Sequence, residues 1–400
     1  MTWKRRARAL AAILASLLVA DQLVQWTALG DGVLLGHRIA PFDPPLFTNE
    51  QRDTLERLRR NFAAGVKTDG LFDFDGELGW CTKPGSATPD YRFDWAGSRV
   101  GVEELAREKR PGLRRVVAVG DSFTLGMEVR GEECWTSLVD RERADLEVAN
   151  LGVGGYGIDQ SLLRLERDGF ALQPDEVWLG FMASTALRNV IVYQPGMRRW
   201  APTPTFKPRF ELDATGELAL VANPASDPER LAELLGSQEA FLAAAGRHDH
   251  FVQRAPAAYA PFGTNLLHYC ATARLALTVL ERGDRAAGPY LADPSSEVWR
   301  LSRALFLRAA ARCGMRGVRL RVLFFPDGAG LEDAAVRGHP ACQSLLDELR
   351  GHGIEVIDFT AAVQAALERT GGKLWASGGH YDAAGNRVIA DELLRVLAAD

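Results

Sequence analysis

The chain has 400 residues, enough to bury a large core in one domain or two. Its apolar fraction of 47% and charged fraction of 25% are those of an ordinary globular protein. The formal net charge of −5 argues against a nucleic-acid binder, which carries a basic footprint, although a local basic patch stays open.

Residues 1–29 stand apart. Lys4, Arg5, Arg6 and Arg8 precede an apolar run that ends at Ala20. Basic residues before a short apolar run are the pattern of an export signal. The strictly apolar part is short for a span of ~20 residues. Extending it through Leu23, Val24, Trp26 and Leu29 carries Asp21, Gln22 and Gln25 along. No small-x-small cleavage site stands out, since Leu18 precedes Ala20 and Trp26 precedes Ala28. The segment is therefore expected to be an uncleaved anchor in the inner membrane, positive end in the cytoplasm and body in the periplasm. A cleaved leader on a secreted protein and an amphipathic first helix of a soluble one are the other readings. Cys81, Cys134, Cys270, Cys313 and Cys342 fit no zinc spacing.

Residues 30–113 read as a connector and N-terminal extension. A charged helix is expected over Gln51–Phe62, with loops and short extended pieces from Leu71 to Gly85. From 114 the pattern alternates strand and helix. Strands are expected at 114–119, Leu146–Asn150, Glu176–Met182, Val318–Phe325 and Ile354–Asp358. Helices are expected at Trp135–Arg143, Ile158–Asp168, Leu266–Leu280, Ser296–Gly314, Leu345–Gly351, Ala361–Arg369 and Asn386–Ala398. Residues 184–262 break the rhythm and read as an insertion or lid. It would hold a hairpin, Phe206–Leu212 with Glu217–Val221, and a helix at Ser237–Ala245. The core domain would then comprise 114–183 and 263–400.

Val116, Val117, Ala118 and Val119 form a continuous apolar run bounded by Gly120, as a buried strand does. Asp121 and Ser122 follow at what would be the carboxyl edge of the sheet, where open α/β sheets keep their ligands. Ser122 is thus the candidate nucleophile; the plainer reading is a turn and helix cap. Asn150-Leu-Gly-Val-Gly-Gly-Tyr-Gly157 offers backbone N–H groups that could stabilise an oxyanion. No G-x-G-x-x-G series follows the first strand and no G-K-[ST] occurs, which disfavours a nucleotide site, and no cofactor is expected. Of seven histidines, His380 has the best setting for a base: a small-residue loop before the last helix. His268 reads as a core residue, and His339 and His352 as surface-loop residues. His248 and His250 flank Asp249 without a third ligand, a weak metal pattern, so no metal site is assigned.

Together these blocks resemble the SGNH (GDSL-like) hydrolases, in particular their larger exported bacterial members. Gly120-Asp121-Ser122 is similar to the first block, Asn150–Gly157 to the second and His380 with Ala384-Gly385-Asn386 to the fifth. Leu78-Gly-Trp80, Lys83-Pro-Gly85 and Lys207-Pro-Arg-Phe210 are similar to segments of those larger members. The resemblance implies a three-layer α/β/α sandwich with a five-stranded, mostly parallel sheet (SGNH/flavodoxin-like), here with an N-terminal extension and a central insertion. It implies Ser122 as nucleophile, His380 as base and Gly155 in the oxyanion hole. Two blocks depart from the pattern. Ser184 and Thr185 stand where a Gly-x-Asn-Asp block has Asn and Asp, so the second oxyanion donor is missing or comes from Ser184 or Asn189. Ser377 stands where Asp-x-x-His has its acid, which leaves Asp382, another residue or a bare Ser–His dyad. Losing one oxyanion donor costs roughly 3–4 kcal/mol; losing the acid costs about 10⁴ in rate.

The resulting expectation is a serine-dependent esterase or deacylase acting on an O-acylated envelope glycan or a similar small ester. An O-acyltransferase working with a membrane-bound partner and a weakened glycan-binding scaffold are the alternatives. Arg188, Arg198, Arg199 and Trp200 would suit a sugar acceptor; the plainer reading is solvated or paired arginines.

Overall fold

The computed structural model describes residues 3–28, 33–34, 37–38, 49–64, 71–194, 205–254, 270–273, 287–372 and 374–399. His268, Arg198, Arg199, Trp200 and most of the helix expected over 266–280 lie outside these residues. In chain order the elements used below are α1 (Trp3–Ala28), α2 (Asn49–Ala63), β1 (Phe72–Asp75), β2 (Gly79–Thr82), β3 (Arg114–Val119), α3 (Ser122–Leu125), α4 (Trp135–Glu142), β4 (Leu146–Asn150), α5 (Ile158–Arg164) and β5 (Glu176–Phe181). They continue with β6 (Arg209–Leu212), β7 (Leu218–Val221), α6 (Pro228–Gly236), α7 (Gln238–Ala245), α8 (Glu297–Gly314), β8 (Arg319–Phe324), α9 (Gly328–Arg337), α10 (Gln343–Gly351), β9 (Glu355–Asp358), α11 (Thr360–Thr370) and α12 (Ala383–Leu397).

The chain divides into two compact units. One comprises Met1–Ala64, Tyr193–Phe206 and Pro228–Arg285. Within it α2 packs on α6, with Arg59 donating to Glu229 at 2.9 Å. Tyr193, Phe206 and Phe241 cluster with ring centroids 4.9–5.9 Å apart. Asp249 accepts the Tyr193, Phe251 and Val252 N–H groups, a capping task in place of metal ligation. In α1, residues Trp3–Val24 are long and apolar enough to cross a membrane, and Leu10, Ile13, Leu14, Leu17 and Leu18 are exposed along it.

The second unit comprises Gly65–Val192, Lys207–Asp227 and Ala286–Asp400 and holds the main sheet. The residues expected to form one insertion are thus split: hairpin β6–β7 belongs with the sheet. The sheet runs β9-β8-β5-β3-β4, parallel throughout. Numbered along the chain, that is the doubly wound order 2-1-3-4-5. The fold is the expected three-layer α/β/α sandwich.

Strand alternation sorts the core. Val116, Ala118, Trp178, Leu323 and Ile357 face one layer and pack with Trp135, Val139, Val363, Ile389 and Leu393 of α4, α11 and α12. The opposite layer is α5 and α8, where Phe306 meets Phe181 at 4.9 Å between centroids. Helices cover both faces, so the strand centres are apolar, as at Val116–Val119 and Val322–Phe324. At the amino edge the charges are paired: Arg115 donates to Glu147 at 2.8 Å and Arg321 to Glu176 at 2.8 Å.

Expected and observed elements differ in a few places. The helix expected over 158–168 turns into a π-helical stretch at Leu165–Gly169. Helices α6 and α9 have no counterpart in the sequence reading. The last helix begins at Ala383, earlier than expected, because Asp382 caps it.

Candidate active site

The first core strand and the next one over, β3 and β5, bracket the point where strand order reverses, the usual ligand position in such sheets. Their carboxyl ends approach closely there. A Cβ on Gly120 would lie 2.7 Å from the Gly180 carbonyl and 2.1 Å from Thr124 Oγ1, so only glycine fits. Directly after Gly120 the chain turns into α3. Asp121 is its N-cap, and Oδ1 accepts the Phe123 N–H at 2.8 Å. The capping reading holds: Asp121 caps, and Ser122 opens the helix at the sheet edge. Burial keeps the Asp121 carboxyl above its ordinary value, with Arg188, 4.0 Å away, offsetting only part of the rise.

The glycine loop after β4 packs on this turn. A Cβ on Gly152 would meet the Leu125 nitrogen at 2.4 Å. Asn150 fastens the two: Nδ2 donates to the Thr124 carbonyl at 2.8 Å, and Oδ1 accepts the Gly152 N–H. Hairpin β1–β2 braces the loop from behind. Trp80 Nε1 donates to the Gly154 carbonyl at 2.8 Å, and the Tyr156 hydroxyl donates to the Trp80 carbonyl at 2.5 Å. Arg188 Nη1 donates to the Tyr156 carbonyl at 2.8 Å. Between those two anchored carbonyls sits Gly155, with φ +86°, in the left-handed region that favours glycine.

His380 lies beside the same turn. Its ring meets that of Phe123, the neighbour of Ser122, at 5.3 Å between centroids. Phe123 is packed in turn by Tyr381 and Phe325. His380 Nδ1 is 2.7 Å from Glu128 Oε2. The same carboxylate accepts the Gly378 N–H at 2.7 Å and the His380 N–H at 3.1 Å. A Cβ on Gly378 would fall within 2.5–2.6 Å of that carboxylate, so Glu128 occupies the volume a side chain at 378 would need. Burial acts to raise the Glu128 carboxyl; the hydrogen bonds from His380 and Gly378 outweigh it and hold it below its ordinary value.

Ser122, Gly155 and His380 thus come to one edge of the sheet. Asp382 does not serve His380: Oδ1 accepts the Gly385 N–H at 2.8 Å as the α12 N-cap. Asn189 is no oxyanion donor. Its Oδ1 takes the Ile158 and Asp159 N–H groups and its Nδ2 donates to Ser302, so it caps α5. Thr185 turns inward and donates to the Met182 carbonyl. Ser184 is half-buried in the first turn of a 3₁₀ helix, Ala183–Val190. Arg188 is buried as a brace for the loop, where a sugar-binding arginine would stand in solvent. Glu128 is the residue that sequence reasoning missed. Its signals were the paired Gly378-Gly379 before His380 and the Gly126 turn that lets the chain reverse after α3. Among the described residues, no group of three His, Cys, Asp or Glu could hold a metal ion.

No family model matches the chain, and no curated protein matches it. Solved structures do show likeness. A lipolytic protein of the G-D-S-L family from Veillonella parvula is 13% identical; the match covers 71% of this chain and 98% of that one, with TM-score 0.34. An acetyl xylan esterase is 14% identical over 70% of this chain and 98% of that one, with TM-score 0.36. A GDSL-like lipase from Bacteroides thetaiotaomicron is 9% identical over 74% and 92%, with TM-score 0.34. The solved structures named here as similar to this chain are thus GDSL-type lipolytic proteins and an esterase.

Proposed function

We propose that this protein is a serine-dependent ester hydrolase. One observation carries the reading: the imidazole beside the nucleophile turn has its Nδ1 held by a carboxylate, which leaves Nε2 as the nitrogen able to take a proton. Nδ1–H donation to Glu128 fixes the tautomer and ring orientation, and the carboxylate stabilises the imidazolium that forms.

In the proposed reaction His380 Nε2 removes the Ser122 hydroxyl proton as Oγ attacks the ester carbonyl carbon. The Ser122 and Gly155 N–H groups receive the developing oxyanion. His380 returns the proton to the departing alcohol oxygen. Water then attacks the acyl-serine with the same base, releasing the carboxylic acid and restoring Ser122. Because Glu128 supplies a carboxylate, the serine at 377 does not imply loss of the acid.

For substrate, the reading is an O-acyl group on an envelope glycan or a comparable ester. Its support is α1, which would hold the body at a membrane surface with Lys4, Arg5, Arg6 and Arg8 on the cytoplasmic side. The test is hydrolysis of an activated acetyl ester, and acetate release from an O-acetylated glycan, by the protein and by Ser122→Ala. Turnover that vanishes in the variant is expected. Equal turnover in both would end the proposal.

A further inference from the structure

Glu128 does not reach His380 by default. Its φ is +67°, a conformation that side-chain-bearing residues rarely adopt, and such positions persist only where the surroundings impose them. What imposes it here is the segment that precedes the core. The Tyr91 hydroxyl accepts the Glu128 N–H at 2.8 Å. Arg99, 4% exposed, donates to the carbonyls of Leu125, Gly126 and Val129, the residues on either side of Glu128. The Arg99 guanidinium lies 4.4 Å over the Tyr91 ring, which ties the two into one clasp. The clasp is fixed in turn to the core strands: the Arg99 N–H donates to the Asn150 carbonyl at 2.8 Å.

We infer that Tyr91 and Arg99 are positioning residues for the acid of the site, so that the segment before the core is part of the catalytic apparatus. The inference rests on the esterase reading for its kinetic consequence, and on geometry alone for its effect on His380. Arg99 shapes the turn by gathering its carbonyls. Tyr91 fixes the peptide of Glu128, which aims the carboxylate at Gly378, His380 N–H and Nδ1. Without Tyr91 the peptide is free to relax out of the left-handed region, and the carboxylate withdraws from the imidazole.

The test uses the full chain carrying Tyr91→Phe, which removes the acceptor oxygen and keeps the ring under Arg99. Ester hydrolysis should lose about tenfold in kcat with KM unchanged. Nitrogen NMR of His380 should show the Nδ1–H tautomer dominant in the parent protein and reduced in the variant. In a Glu128→Gln background, adding Tyr91→Phe should change neither readout further, because Tyr91 acts through Glu128. Arg99→Lys, checked for folding by circular dichroism, should behave as Tyr91→Phe does. The inference is overturned if Tyr91→Phe leaves the His380 tautomer as in the parent, or if its kinetic loss persists in full beside Glu128→Gln. Because the tautomer is read without turnover, a protein that hydrolyses no ester overturns the functional proposal and still decides this one.

Discussion

Glu128 and His380 stand 252 positions apart in the chain, yet a Glu128 carboxylate oxygen lies 2.7 Å from His380 Nδ1. In the proposed reaction the acid would therefore come from the loop that follows Ser122, not from the residues around His380. Glu128→Gln should reduce kcat towards the ~10⁴-fold seen when an orienting carboxylate becomes an amide, while the far-ultraviolet circular dichroism stays that of the parent. A loss below about threefold would remove Glu128 from the proposed reaction.

The same contact gives a pH dependence of stability. The folded-state Glu128 carboxyl is held below its ordinary value of 4.5. Its stabilisation is thus complete above about pH 4.5 and disappears as pH falls through the folded-state value. Urea midpoints of the parent should exceed those of Glu128→Gln at pH 7, and the gap should close in strong acid. A gap that widens towards acid would contradict this sign.

The meeting of β3 and β5 tolerates no side chain. In Gly120→Ala the new methyl would meet Thr124 Oγ1 at 2.1 Å and the Gly180 carbonyl at 2.7 Å. Overpacking of this kind costs about 1–3 kcal/mol or more. Adding Thr124→Ala should recover part of the loss, since it clears the nearer contact and leaves the carbonyl. Urea unfolding of the single and double variants checks both statements.

Lys207 and Asp159 form a fully buried ion pair at the start of α5, just past the glycine loop. Lys207→Met would strand a buried carboxylate, and breaking one side of such a pair costs about 3–5 kcal/mol. Burial already raises the Asp159 carboxyl, so in that variant protonation relieves the defect and the loss should shrink towards acid pH. Lys207→Met with Asp159→Leu should recover most of it. Denaturant midpoints at two pH values measure all three outcomes.

All five cysteines are free. Burial pushes the Cys313 thiol up to about 12 and the Cys342 thiol higher still. Cys81 and Cys134 are also buried, and only Cys270 is half-exposed. A thiol reagent at pH 8 should label Cys270 alone in the native protein and all five in denaturant. Rapid native labelling of Cys313 would contradict the packing of α8.

Removal of residues 1–29 tests the proposed anchor. The shortened protein should partition into the aqueous phase of a detergent separation, and the full chain into the detergent phase. Partition of both into the aqueous phase would rule out an anchoring role for α1.

The strands were legible because each carries a central apolar stretch; the clearest are Val116–Val119, bounded by Gly120, and Val322–Phe325, bounded by Pro326. Val116–Val119 could be little else once helices cover both faces. Helix α8 was legible from Ser296, whose hydroxyl accepts the Trp299 N–H, and from its periodic Leu301, Leu305 and Phe306. Helix α12 was misplaced by a few residues, since Asp382 was considered as an acid when its position before Ala383-Ala-Gly385 marks a cap. Asn189 misled for a related reason: an amide near the expected block suits an oxyanion donor and a helix cap equally well until its partners are known.

The amino-acid sequence by itself determined the local structure: which stretches are strands, where the Ser122 turn and the glycine loop fall, and which histidine opens the last helix. These follow from periodicity, capping and turn preference, which act over a few residues. Only the tertiary structure decided which carboxylate meets His380 and which parts hold it. Glu128 reaches His380 through a left-handed backbone step imposed by Tyr91 and Arg99, and makes its contact across most of the chain. The glycines at 126, 378 and 379 only make room for this contact; which carboxylate fills it is set after the extension, the Ser122 turn and the final loop have packed together.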